Sequence, residues 1–306
     1  MSINELGAAL MARLIDAVQV NRSQPVVING RSFWLKQRRF GRSLIIVYGN
    51  LFLKFSNSKI RMFAHTSDWQ IWEVESYRLL YGAESEIVVV GSDSVRIPNV
   101  PGISLKCCLE THTLTAEIMR TAATEFSRAH SLTMSLLTEP WSHGDPHLEN
   151  VLYDAQTHQA HLIDFETRHQ AGLIAVERHA DDLLVLLLDL LGRDSNNNWP
   201  ELSRIFLLTY ANRPVIECLS ARLRMPRGLE LVLWKTRTNH INTALLVQRP
   251  ASSQLMLITC DRSPAVKSGG VDCEALRIIV QVHVSLAGLS SLLSAIPPTT
   301  WPAKLA

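Results

Sequence analysis

Between residues 143 and 166 the chain reads His143-Gly144-Asp145-Pro146-His147-Leu148-Glu149-Asn150, then Val151-Leu152-Tyr153, a polar stretch from Asp154 to Gln159, Ala160-His161-Leu162-Ile163, and Asp164-Phe165-Glu166. Two short apolar runs joined by polar residues predict a β-hairpin. A hairpin returns the chain to the end it left, so Asn150 and Asp164 are expected side by side. Asp145 stands five positions before Asn150. A carboxylate, an amide and a second carboxylate gathered in this way can orient a hydroxyl and hold a hard cation on oxygen ligands. His-Gly-Asp alone would be explained as well by a surface turn; the order of all these parts narrows the fold.

The motif resembles the catalytic and metal segments of the kinase-like phosphotransferases, in particular the aminoglycoside phosphotransferase, choline kinase and lipopolysaccharide-core kinase group. Those families write His-Gly-Asp-x-x-x-x-Asn where protein kinases write His-Arg-Asp, and often end the metal motif in Glu or Asp; here the residues are Gly144 and Glu166. The resemblance implies an α+β fold of two lobes, a small β-rich nucleotide-binding lobe with a leading helix over residues 1–104 and a larger, mainly helical catalytic and acceptor-binding lobe over 105–306. It implies an ATP- and Mg²⁺-dependent transfer of phosphate to a hydroxyl of a small molecule or glycolipid. Asp145 would act as the catalytic base and Asn150 and Asp164 would hold magnesium. Glu166 would support a second metal ion, His147 would face the cleft, and His143 would sit beneath the loop and bond its backbone.

The same resemblance asks for an upstream lysine on a strand and a glutamate on the following helix. Ser43 to Tyr48 and Leu51 to Phe55 read as β-rich runs separated by Gly49-Asn50, a hairpin signal, and Lys54 stands alone in the second. An edge-strand lysine that discourages aggregation is the competing reading. Asp68 to Tyr81 has the spacing of an amphipathic helix. Of its two glutamates, Glu75 is preferred over Glu73 as the partner of Lys54, because Glu75-Ser76-Tyr77-Arg78-Leu79-Leu80 resembles the family's Glu-x-x-x-Leu-Leu. No Gly-x-Gly-x-x-Gly precedes Lys54. Gly41, in Arg38-Arg39-Phe40-Gly41-Arg42-Ser43 between expected strands at 33–36 and 44–46, is the nearest candidate for a phosphate-covering turn.

Farther along, Ile87 to Val90 and Ser94 to Ile97 read as strands, and Pro98 to Leu105 resembles the hinge. Thr115 to Leu132 has helical spacing, with His130 read as structural. Asp182, preferred over Asp181, resembles the aspartate that braces the catalytic loop, and Leu183 to Leu191 reads as a buried helix. Arg222, Arg224, Arg227, Lys235 and Arg237 form a basic cluster that fits a phosphorylated acceptor, though a solvated face explains it as well.

A formal charge of +2 over 306 residues is too small to argue for nucleic acid. Five cysteines without a Cys-x-x-Cys pair point to reduced thiols and a cytoplasmic setting. Met1 to Val20 reads as an amphipathic helix and not a signal peptide. No apolar stretch approaches the ~20 residues of a spanning helix, so no transmembrane segment is expected, and peripheral membrane contact stays open. Two other classes compete with an active small-molecule kinase: a catalytically weak kinase fold used as a binding or regulatory module, and an atypical protein kinase.

Overall fold

The computed structural model describes residues 20–222, apart from 40, 42, 136, 137, 195 and 197. The expected helix at Met1 to Val20, apart from Val20 itself, and the part of the expected second lobe from residue 223 on lie outside the described residues. The architecture is mixed α/β, with small antiparallel sheets and seven described helices.

Strands β1 (Asn21–Ile28) and β2 (Arg31–Arg38) form a hairpin. Its turn, Asn29-Gly30, has φ of 52° and 74°, the double positive φ that Asn-Gly supplies most readily. Helix α1 (Ser43–Phe55) follows, where two strands were expected. Its inward side chains, Ile46 and Leu53, are buried, while Leu44, Val47, Tyr48, Leu51 and Phe55 face outward. A helix apolar on both faces shows no 3.6-residue alternation, which is why the run reads as strand. Gly49-Asn50 lies inside this helix, and the Asn50 side chain grips the next strand, donating to Met62 O (2.9 Å) and accepting from Met62 N (2.8 Å).

That strand is β3 (Ile60–Met62), followed by α2 (Thr66–Tyr81), β4 (Val88–Val90) and β5 (Ser94–Pro98). The four-stranded sheet runs β1-β2-β5-β4, all antiparallel. Helix α2 buries Trp69, Trp72 and Tyr77 in the core. The expected helix at Asp68 to Tyr81 and the expected strands at 87–90 and 94–97 are present with small shifts at their ends.

From Pro98 the chain crosses to a second sheet. Gly102 has φ 118°, and a Cβ there would meet Tyr153 O at 2.7 Å, so only glycine lets the backbone pass so close. Strand β6 (Ile103–Ser104) then pairs with β9, and α3 (Leu105–Glu110) starts at Ser104, whose side chain accepts from Cys107 N. Helix α4 (Ala116–Ser131), capped by Thr115, leads to the short pair β7 (Thr133–Met134) and β8 (Glu139–Pro140). The hairpin of β9 (Val151–Asp154) and β10 (Gln159–Leu162) follows, and β11 (Thr167–His169) pairs with β3. Helices α5 (Ala175–Arg193), α6 (Trp199–Tyr210) and α7 (Arg213–Arg222) complete the described chain.

One large core joins these parts, with Trp69, Phe126, Trp141, Phe165, Leu183 and Phe206 among its buried side chains. Phe165 is wholly buried, and its ring lies 4.8 Å from Tyr77, 5.2 Å from His143 and 5.5 Å from Trp141. Burying one such ring contributes roughly 1.5–3 kcal/mol. It pins its polar neighbours Asp164 and Glu166 at one place on the core surface.

Candidate active site

The segment 143–150 is an irregular loop, closed by a single turn of 3₁₀ helix at Leu148–Asn150, and it is held from below. Asp182, buried on α5, accepts from the backbone of His143 (2.8 Å) and Gly144 (2.8 Å) and from His130 Nε2 (3.1 Å). Burial would raise its pKa, but the neighbouring His169, His130 and His143, with the hydrogen bond from His130, outweigh it and hold Asp182 well below the usual carboxylate range. A second buried carboxylate on the same helix, Asp189, accepts from Leu148 N at 2.9 Å and pairs with Arg193. The sequence reading missed Asp189. Its position, seven residues after Asp182 and so on the same helical face, was the available signal.

His143 Nδ1 accepts from Asp145 N (3.3 Å) and its Nε2 donates to Ile163 O (2.9 Å). Both contacts suit a neutral ring, and burial lowers its pKa. Ile163 N in turn donates to Asn150 O at 3.0 Å. The loop and the Asp164-Phe165-Glu166 segment are thus cross-tied by backbone, and Asn150 and Asp164 meet at one end of the β9–β10 hairpin. Asn150 Nδ2 donates to Asp145 O (3.0 Å). His147 lies 3.3 Å from the Asn150 amide and accepts from Glu149 N at Nδ1. Gly144 has φ 91°, and a Cβ there would sit 2.9 Å from Thr167 Oγ1. A side chain in its place would be strained and would press on the start of β11.

The lysine of the site is Lys36, on β2. Its Nζ lies 2.5 Å from Asp164 Oδ1, 2.8 Å from Glu73 Oε1 and 3.3 Å from Glu166 Oε1. Burial pulls its pKa down, but Asp164, Glu73 and Glu166 outweigh that and hold it well above the usual lysine range. Glu73 is fully buried and its pKa is raised by that burial. For Asp164, burial is outweighed by Lys36 and its pKa is lowered. Glu166, beside Asp164, is pushed up to about 7 by burial and by that neighbouring charge. Asp164 adopts φ 71°, a left-handed conformation costing about 1–3 kcal/mol in a residue with a side chain, and the Lys36 contact compensates it.

The structure therefore brings together Asp145, His143, His147, Asn150, Asp164 and Glu166, and corrects the upstream half. Lys54 is exposed on α1 and cannot reach the cluster. Glu75 is turned about 200° around α2 from Glu73, at about 100° per residue, and pairs with Arg78 on the helix surface at 3.4 Å. Gly41 lies in the exposed turn linking β2 to α1, with φ 77°. Of the basic cluster, Arg222 donates to Asp181 Oδ1 (2.7 Å) and Glu177 O (3.0 Å); Arg224, Arg227, Lys235 and Arg237 lie outside the described residues.

Beneath the loop, His130 and His179 stack with centroids 3.9 Å apart. His130 Nδ1 accepts from Tyr210 Oη, and His179 Nε2 donates to Trp141 O. Burial pushes His179 from 6.5 to about 3. Above 6.5 its contribution to stability is complete; between 6.5 and 3 the unfolded chain takes up a proton that the folded chain refuses, so stability falls as pH falls. The stability gap between wild type and His179→Leu, read by urea unfolding, should accordingly shrink on going from about pH 7 to about pH 5, by at most about 1.4 kcal/mol per pH unit. A gap independent of pH would mean that His179 is charged in the folded protein.

No family model matches the sequence, and no curated protein matches it. Among solved structures, the bifunctional kinase-methyltransferase WbdD is similar, with a TM-score of 0.33 and 13% identity over 72% of this chain and 47% of that one. The chain thus spans about half the length of that protein.

Proposed function

We propose that the chain is a kinase-type phosphotransferase, transferring the γ-phosphate of Mg-ATP to a hydroxyl of a small molecule or glycolipid. The observation that carries this reading is the buried Lys36, bridging Glu73 of α2 and Asp164 of the metal segment at 2.8 and 2.5 Å. A lysine held between a helix glutamate and a metal-segment aspartate is the arrangement that steadies nucleotide phosphates for transfer.

The donor set fits magnesium: Asp164 and Glu166 carboxylates and the Asn150 amide oxygen are hard oxygen ligands. Among the described residues no group of three or more His, Cys, Asp or Glu is gathered to hold a metal alone. That is compatible with Mg²⁺, which is commonly held by one or two carboxylates with substrate phosphates and water. Bound there, Mg-ATP supplies the transferable phosphoryl group and a neutralising divalent charge. Lys36 would hold phosphate oxygens, Asp164 and Asn150 would hold the metal with Glu166 as further support, and Asp145 would orient the acceptor hydroxyl and accept its proton. His143 keeps the loop's shape as a neutral ring, and His147 stands beside Asn150. Residues 1–104 and 105–306 would form the nucleotide and acceptor sides of the cleft.

Thermal unfolding with and without Mg-ATP tests the nucleotide site. At ~100 times its dissociation constant a ligand stabilises by about 2.7 kcal/mol, a rise of about 4 °C in Tm for a protein of this size. The rise should need magnesium and disappear in Asp164→Asn. No rise at millimolar nucleotide would defeat the proposal and favour a kinase fold used as a binding module.

A further inference from the structure

Helix α1 exposes an apolar stripe. Leu44, Val47, Tyr48, Leu51 and Phe55 are 68, 57, 69, 48 and 69% exposed. Their spacing of three, four, seven and eleven residues from Leu44 places them on one face about 100° wide. Lys54 stands at the edge of this face. The helix has no acidic residue. Exposed apolar side chains scattered singly need no explanation, whereas a contiguous apolar face marks an interaction surface.

Charge narrows the partner. Between Asp16 and Asp68 the sequence holds nine Lys and Arg residues and no Asp or Glu, in a chain whose net charge is only +2. Two of the nine, Lys36 and Arg38, are buried at or beside the candidate site. Lys54 borders the apolar face, in a segment that has no acidic residue to offset its charge. We infer that α1 is a membrane-docking helix that lies in the headgroup region of an anionic bilayer. An apolar face with aromatic side chains can enter the headgroup region, and anionic lipid attracts a cation at its edge, here Lys54, by a measurable step. Nucleic acid would use the cations and leave five apolar side chains in water. At 13 residues the helix is too short to span a bilayer, and no described helix is long and apolar enough to do so.

The docking surface is also linked to the candidate site. Asn50 of α1 clamps Met62 of β3, and Met62 pairs with Thr167, the residue after Glu166. The inference itself does not depend on nucleotide chemistry.

The experiment is co-sedimentation of the full chain with vesicles of phosphatidylcholine alone and with about 30% phosphatidylglycerol. Wild type should bind the anionic vesicles and bind the neutral ones more weakly. Lys54→Gln should weaken anionic binding about fivefold and leave neutral binding unchanged. Leu51→Glu/Phe55→Glu should lose at least about tenfold on both, with an unchanged unfolding midpoint. Absence of binding by wild type, or binding by the double variant equal to wild type, would overturn the inference. So would a concentration-dependent dimer in gel filtration that the double variant abolishes, which would assign the stripe to a second copy of the chain.

Discussion

Asp145→Asn is expected to lower kcat about 10²–10⁴-fold, the usual worth of a positioned acid-base group, and to leave Mg-ATP binding essentially unchanged. The separation follows from how the loop is built. Asp145 is held by its backbone: its N–H donates to His143 Nδ1 at 3.3 Å, and its carbonyl accepts from Asn150 Nδ2 and from His147 N, both at 3.0 Å. Asparagine keeps these backbone contacts. What it removes is the charge that, in the proposed reaction, would accept the hydroxyl proton. The measurement is turnover of radiolabelled ATP against a panel of hydroxyl acceptors, with the nucleotide-dependent Tm rise as the control for an intact site. A variant that kept most of the wild-type turnover would remove Asp145 from its role, and a variant that lost the Tm rise as well would show that the carboxylate serves nucleotide binding.

The downstream half of this candidate site was legible in the sequence because its parts are close along the chain. Asp145, Asn150 and Asp164 are joined by one hairpin, and a hairpin's geometry follows from two apolar runs and a turn. Asp182 could be placed because it opens a long apolar helix. The lysine and glutamate were harder, since they come from separate elements whose pairing depends on which segment is strand. The hairpin was expected at Gly49-Asn50, and Asn29-Gly30 was passed over; the order Asn-Gly comes first in the chain and Gly-Asn second. The first has the residue order that favours positive φ at both turn positions, and it is the one that forms the hairpin. The second was misread because α1 is apolar on its exposed face, so the periodicity that separates helix from strand is missing. The same outward stripe that obscured the helix is the basis for its docking role. Glu73 was passed over for Glu75 because a two-residue choice on a helix is decided by which face packs inward, and that depends on the position of β2.

Lys36→Met is expected to reduce kcat/KM about 10²–10³-fold, as removal of a charged donor from a transition-state site does, and also to destabilise the fold by about 3–5 kcal/mol. Lys54→Met should change neither, since Lys54 is exposed and surface substitutions stay within about 0.5 kcal/mol. The stability loss comes from Glu73, which is fully buried and retains an unpaired charge once Lys36 Nζ, 2.8 Å away, is gone. Burial already raises the Glu73 pKa, and loss of the lysine raises it further. A raised folded-state pKa means stability that is present below the unfolded value and lost as pH rises. The Lys36→Met deficit should therefore be smaller in mild acid than at neutral pH. Lys36→Met/Glu73→Leu removes both buried charges and should recover most of the stability while remaining inactive. If the double variant regained turnover, the ion pair would be a packing device alone. If Lys36→Met unfolded no more readily than wild type, the buried pair would not exist in solution. Only recovery of stability without recovery of activity matches a lysine that both neutralises the core and holds phosphate.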